Sequence, residues 1–295
     1  MATGDAAMGD PGSPGPVRRA RCAGSWYPGS ADALRAAVDS YLAAGTPIDA
    51  RVRAVVSPHA GLMYSGPVAG YGYSAVARQQ YDGIVLVGPS HFFAFEGVAL
   101  WTRGAFETPL GRLPIDVTLG AELRAATPLV LDAPAVHERE HSLELQLPFL
   151  ARLFPNVPIL PLLVGHQRRA TVEGLGDALA HVARGRELLL VASSDLSHYR
   201  DRETASRLDA AVIEHVERND PEGLQACLEV DPSHACGGGP IVAVMRAARA
   251  LGAIAARVLR YADSGHVTGD TGQVVGYMSA VLGDFTDDGR AARAA

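Results

Sequence analysis

Short runs of aliphatic and β-branched residues alternate along the chain with longer segments of helical period. The runs predict strands over 52–57, 83–88, 97–102, 158–165, 187–194, 256–262 and 274–282. The segments between them predict helices over 30–43, 67–79, 116–125, 140–153, 170–183, 202–217 and 239–251. This alternation belongs to α/β proteins, with a mainly parallel sheet covered by helices. No Gly/Ser linker or repeat interrupts the pattern, so a single domain is expected over 21–284, with disordered tails at 1–20 and 285–295. Three of the predicted strands run directly into polar residues: VSPHAG, VGPSHF and VASSDLSHY. In open α/β sheets the ligand site lies just beyond the carboxyl ends of the strands, so these three endings are expected to converge.

Each ending carries candidate chemistry. His59 sits in Ser57-Pro58-His59-Ala60-Gly61, with Tyr64 just beyond, and His91 follows Gly88-Pro89-Ser90 after the next strand. Neighbouring parallel strands lie about 5 Å apart, so the two imidazoles can share one metal. After a third strand, Asp195 and His198 can act as base and orienter or as further ligands, while Asp195 can equally cap the following helix. Cys236 precedes Gly237, Gly238 and Gly239 at the entry to an apolar helix. Glycines free backbone amides to point at a ligand, and a helix N-terminus favours a thiolate, so Cys236 is either a reactive nucleophile or a soft metal ligand. The bland alternative is a small residue packed in a turn. His137-Glu138-Arg139-Glu140-His141 matches the H-E-x-x-H of zinc proteases in letters only, because Asp132-Ala133-Pro134 places its first His at a helix entry. Glu138 and Glu140 are expected to complement that helix N-terminus, and His141 to face the site. Gly70 and Gly72 lack the third glycine of a dinucleotide loop, and no nucleotide cofactor is expected.

Composition removes whole mechanisms. Of the 295 residues, 26 are basic, and every one of them is Arg. Without lysine there is no Schiff base and no P-loop. A net charge of −6 with scattered signs argues against nucleic acid or an anionic membrane as partner. Three cysteines are too few for a disulfide framework and point to a reducing compartment. No run approaches the ~20 apolar residues of a membrane span, and the first residues lack the apolar stretch of a signal peptide, so a cytoplasmic protein is expected.

The ordered motifs GSWYP (24–28), SPHAG with YSG (57–66), GPSH (88–91), TPLG (108–111), EHSLELQLPFL (140–150), SSDLSHY (193–199) and CGGGPI (236–241) resemble the Memo-like family, whose bacterial members are called AmmeMemoRadiSam system protein B. The resemblance covers residues 20–283. It implies the three-layer α/β sandwich of the class III extradiol dioxygenases. It also implies a metal site at His59, His91 and Cys236, with Asp195, His198 and His141 nearby and Tyr64, Ser90, Gly237 and Gly238 in the pocket. Fe(II) or Cu is the implied metal, oxygen or a small molecule the ligand, and a radical S-adenosylmethionine protein an associated partner. A thiolate where the dioxygenases carry a carboxylate favours softer metals and argues against ring cleavage. Phe92 follows His91 where eukaryotic members tend to carry another His, which makes the pocket less basic. The expected function is a redox-type, metal-dependent oxidoreductase. Two alternatives stand beside it: a peptide- or protein-binding module using a degenerate pocket, and an enzyme with a Cys236 nucleophile.

Overall fold

The computed structural model describes residues 15–285. In chain order the elements are β1 (Val17–Arg18), α1 (Ala31–Leu42), β2 (Arg51–Ser57), α2 (Leu62–Val76), β3 (Gly83–Pro89), β4 (Val98–Leu100), β5 (Ala105–Thr108) and β6 (Gly111–Pro114). Next come α3 (Val117–Ala126), β7 (Val130–Asp132), α4 (Pro134–His137), a 3₁₀ turn (Glu144–Gln146), α5 (Leu147–Leu153), β8 (Ile159–Val164), α6 (Arg169–Val182) and β9 (Leu188–Ser193). The chain finishes with β10 (His198–Arg200), α7 (Arg202–Glu217), α8 (Pro221–Val230), α9 (Gly238–Ala250), β11 (Ala255–Asp263), α10 (Gly265–Thr268) and β12 (Val274–Asp284).

A nine-stranded sheet of order β10-β12-β2-β9-β3-β8-β4-β7, with β11 on β12, forms the middle layer. Its centre, β2-β9-β3-β8, is parallel, while β12 and β4 pair antiparallel at the two flanks. Successive side chains of a strand point to opposite faces, and the core divides accordingly. Ala54, Val56, Val85, Val87, Leu190 and Ala192 pack toward α3, α6, α7, α8 and α9. Val55, Ile84, Leu86, Leu189 and Val191 pack toward α1, α2 and α5. Both faces are therefore apolar, and the protein is a three-layer α/β sandwich, as expected. Register sets Ser57 beside Ser193 and Val87 beside Ala192, so the carboxyl ends of β2, β9 and β3 emerge side by side.

Several boundaries differ from those read in the sequence. α2 begins at Leu62 instead of 67, with Pro67 inside it. A proline there removes one backbone bond, which the burial of Val68, Ala69, Tyr73, Ala75 and Val76 outweighs. The helix expected over 140–153 is an irregular turn to residue 143, then the 3₁₀ turn and α5. Pro148 explains the delay, since its ring and missing N–H suit only a helix's first turn. Strand β1 lies inside the stretch expected as a tail; it pairs with β5, and Arg18 is buried, so the ordered chain starts before residue 21. Residues 1–14 and 286–295 lie outside the described residues. Gly70 is a packing glycine, because a Cβ there would meet the backbone of Tyr41 on α1. Among the described residues no helix is long and apolar enough to cross a membrane.

His137 is 1% exposed and its Nε2 lies 3.1 Å from the Ala99 carbonyl, while Nδ1 has no partner. Burial pushes its pKa down to about 3. The native ring is neutral, whereas an unfolded His takes up a proton below about 6.5. Unfolding therefore binds a proton as pH falls from about 6.5 toward 3, and stability is lost over that window. Urea titrations are expected to show wild type losing about 2 kcal/mol more than His137→Gln between pH 7 and pH 5; equal losses would refute this assignment.

Candidate functional site

The converging strand ends bring together residues far apart in sequence. His59 follows β2, His91 follows β3, and Cys236 immediately precedes Gly237 at the start of α9. Ligand atoms of His59, His91 and Cys236 all lie within 4.8 Å of one another, and Cys236 Sγ is 3.2 Å from His59 Nε2. The ring centroids of His59 and His91 are 5.2 Å apart.

Hydrogen bonds decide which nitrogen each imidazole presents. His59 Nδ1 lies 2.9 Å from Ser193 Oγ. That hydroxyl donates its one proton to the Ser142 carbonyl (2.6 Å) and accepts from Gln146 Nε2 (2.8 Å). Toward His59 it can only accept, so Nδ1 carries the proton and Nε2 keeps its lone pair for the site. His91 is fixed in the same way by a carboxylate: Nδ1 donates to Glu140 Oε1 (2.8 Å) and its amide to Oε2 (2.6 Å). Oε1 also accepts from the amides of His141 (2.9 Å) and Ser142 (3.0 Å). Burial pushes the Glu140 carboxyl up, but the donors of His91 and Ser142 outweigh it and hold it at about 2. The anion is permanent at neutral pH, and so is the tautomer it imposes. Burial and the neighbouring His91 and His141 hold His59 well below the ordinary imidazole range, so it is the neutral, ligand-competent form.

The companions expected from the sequence fall into different places. Asp195, 4% exposed, accepts from the amides of His59 (2.7 Å) and Ala60 (3.2 Å) through Oδ1. It thus fixes the His59 loop and is not the helix cap, which Asp201 supplies for α7. Burial raises the Asp195 carboxyl to about 7 against those two amides. His198 Nε2 is 3.9 Å from Asp195 Oδ2 and has no hydrogen-bond partner. The ring of His141 stacks on that of His91 at 4.5 Å and contacts Trp26 at 4.5 Å, so it does face the site, and burial lowers it to about 4. Tyr64 packs with Ala60, Val275 and Tyr277 beside the Asp195 loop. The Ser90 hydroxyl donates to the Phe93 carbonyl (2.8 Å), closing the His91 turn.

The glycine run differs from its expected use. Gly237 N donates to Ser194 Oγ (2.9 Å), Gly238 N to the Ala235 carbonyl (3.3 Å) and Gly239 N to Gln167 Oε1 (2.7 Å), so these amides are already engaged inside the protein. What the run provides is closeness: a Cβ on Gly237 would meet Ser193 O and Ser194, and one on Gly238 would meet Leu228. Nor is Cys236 activated by the helix end. Burial, and then the charge of Asp195, push its thiol up from the ordinary range, opposite to the low value a nucleophile needs. On the helical side of the fold, Cys236 also lines a cavity of about 610 Å³ with Gln167, Arg169, Gln225, Leu228 and Gly239. Of the three clustered donors, only Cys236 reaches that cavity.

Sequence reasoning missed Glu140 as the carboxylate that orients His91, because it placed the residue at a helix start. It read His137-Glu138-Arg139-Glu140-His141 correctly as no zinc helix: α4 ends at His137, which is buried against Ala99.

A family model described as Memo-like protein matches residues 18–281. The chain is 35% identical over 268 residues to a MEMO1 family protein of Nitrosopumilus maritimus, covering 88% of this chain and 98% of the relative. It is 37% identical over 274 residues to one of Methanothermobacter thermautotrophicus, with 88% and 98% covered. Among solved structures, an uncharacterized protein of Escherichia coli K12 superposes with a TM-score of 0.55 at 15% identity, covering 79% of this chain and all of that one. That likeness supports the fold.

The tight approach at residue 237 yields a direct test. Gly237→Ala is expected to cost about 1–3 kcal/mol in urea denaturation, since neither the Ser193 carbonyl nor Ser194 can retreat without breaking the β9 end. An unchanged midpoint would show that the approach is not tight.

Proposed function

Because the chain belongs to the Memo-like family, we propose that it is a metal-dependent protein of the redox type, handling oxygen or a small molecule at a centre held by His59 Nε2, His91 Nε2 and Cys236 Sγ. One observation carries this reading: both imidazoles have Nδ1 committed to an acceptor, Ser193 Oγ or Glu140, which leaves two Nε2 lone pairs beside one sulfur. Ligating histidines characteristically have the other ring nitrogen engaged in this way. Two imidazoles and a thiol suit Fe(II) or Cu and disfavour Mg or Ca. When bound, such a metal supplies electron transfer and Lewis acidity.

In this reading the chain's own groups divide the work. Glu140 and Ser193 set the tautomers, and Asp195 holds the His59 loop by its amides. His198 and Asp195 stand beside the donors as groups able to hold a proton for a bound molecule. Ionised Cys236 completes the donor set, its proton displaced by the metal. A reducing, cytoplasmic compartment and association with a radical S-adenosylmethionine protein fit the same reading, since an unpaired thiol must stay reduced to bind.

A protein-binding face is the second reading, favoured by one observation. Trp26, Phe92 and Tyr199 border His141 and His198 while remaining 41, 48 and 70% exposed. Partner capture that survives Cys236→Ser but is lost in Trp26→Ala/Phe92→Ala would favour it.

Metal analysis tests the leading reading. Protein purified anaerobically is expected to hold about one iron or copper per chain, falling to background in His59→Ala/His91→Ala. A Co(II)-loaded sample is expected to show a thiolate charge-transfer band that Cys236→Ser abolishes. Equally negligible metal in wild type and variant, with no such band, would sink the proposal.

A further inference from the structure

We infer that Arg18, from the stretch expected as a tail, is a positioning residue for the metal site, acting through the turn that carries Glu140. Resting on the metal-site reading above, the inference begins from a buried guanidinium with three long-range acceptors. Arg18 Nε donates to the His137 carbonyl (2.7 Å), Nη2 to the Glu140 carbonyl, and Nη1 to Glu144 Oε2 (2.6 Å). Arg18 is 3% exposed and Glu144 is fully buried. The other oxygen of Glu144 accepts from the Cys22 amide (2.7 Å) and the Tyr27 hydroxyl (2.8 Å). Two charges taken out of water persist only when nearly every donor and acceptor is matched, and here they are.

The position of these acceptors gives the network a purpose beyond packing. His137 and Glu140 bracket a turn outside regular structure, whose own backbone bond, Glu140 N to His137 O, is a long 3.3 Å. Arg18 grips the carbonyls at both ends of that turn. The side chain of the same Glu140 fixes the His91 ring. A planar fork spreads its donors over three nitrogens in fixed directions and so reaches two carbonyls and a carboxylate at once, whereas an ammonium would have to serve all three from a single nitrogen. The segment then continues to Trp26, whose ring lies on His141. One ribbon of chain, residues 18–27, therefore orients the His91 side of the site, while the His59 side depends on Ser193 and Gln146, which Arg18 does not touch.

This asymmetry supplies the test. Arg18→Met/Glu144→Gln removes both buried charges and keeps an acceptor for Cys22 and Tyr27. In full-length, metal-free protein, ¹H–¹⁵N imidazole spectra are expected to show the His91 Nδ1 proton exchanging faster or the tautomer mixing, with His59 unchanged. Co(II) affinity is expected to fall about tenfold or more, and Arg18→Met/Glu144→Gln is expected to add no further loss in a Glu140→Gln background. If the double variant does not fold, Arg18→Lys keeps a charge beside Glu144 and is expected to show the same selective His91 change. A folded variant with wild-type His91 signals and Co(II) affinity overturns the inference, as does an equal disturbance of His59 and His91. Failure of wild type to bind Co(II) would instead strike the metal-site reading, leaving the His91 spectrum to decide the role of Arg18.

Discussion

The Glu140 carboxylate is an anion held almost entirely out of water, 2% exposed, and the site is arranged around that fact. A buried charge is tolerable only if donors surround it. Here the donors are the amide and ring of His91 and the amides of His141 and Ser142. Satisfying one carboxylate therefore stitches the loop after β3 to the turn before α5 and fixes an imidazole in the same step. The His59 ring is held by a separate set: the Ser142 carbonyl takes the Ser193 proton and Gln146 donates to the same hydroxyl, which leaves Ser193 able only to accept from His59. One imidazole is thus oriented by an ion and the other by a neutral hydroxyl.

How much of this was legible in the sequence follows from the range of each signal. Strand runs such as GIVLVG and ELLLVASS are local, and so is the polar residue ending each of them, which is why the sequence alone predicts His59, His91 and Asp195 at one sheet edge. Cys236 was found by its glycine neighbours, although for a partly mistaken reason: the glycines permit close approach and do not present free amides. Glu140 and Arg18 carry no local mark. Their meaning lies in partners 49 and more than 115 residues away, and a residue type does not announce which distant amide it will accept from or donate to. One missed signal was available: Pro148, read as the first turn of a helix, would have shortened the predicted helix and freed Glu140 from the role of helix-end charge.

The thiol at the third position changes what the fold offers. Where Glu140 is ionised by its donors, Cys236 is kept protonated by burial and by the nearby Asp195, and only a cation at the site can reverse that. The protein thus spends its preorganisation on the nitrogens and leaves the sulfur responsive. Exposure is divided otherwise: His59 is buried and Cys236 half-buried, while His91 is exposed, so solvent meets the trio at the His91 ring.

The separations along the chain have a consequence for biosynthesis. His59 and Cys236 are 177 residues apart, and the Arg18–Glu144 contact spans 126. Domains form as synthesis proceeds from the N-terminus, yet here the first-made ribbon waits for the middle of the chain and the first histidine waits for α9. A nascent polypeptide offers scattered imidazoles and never the assembled trio. The three donors come together only when nearly the whole domain has left the ribosome, so the candidate site is a property of the finished fold and of no shorter piece of it.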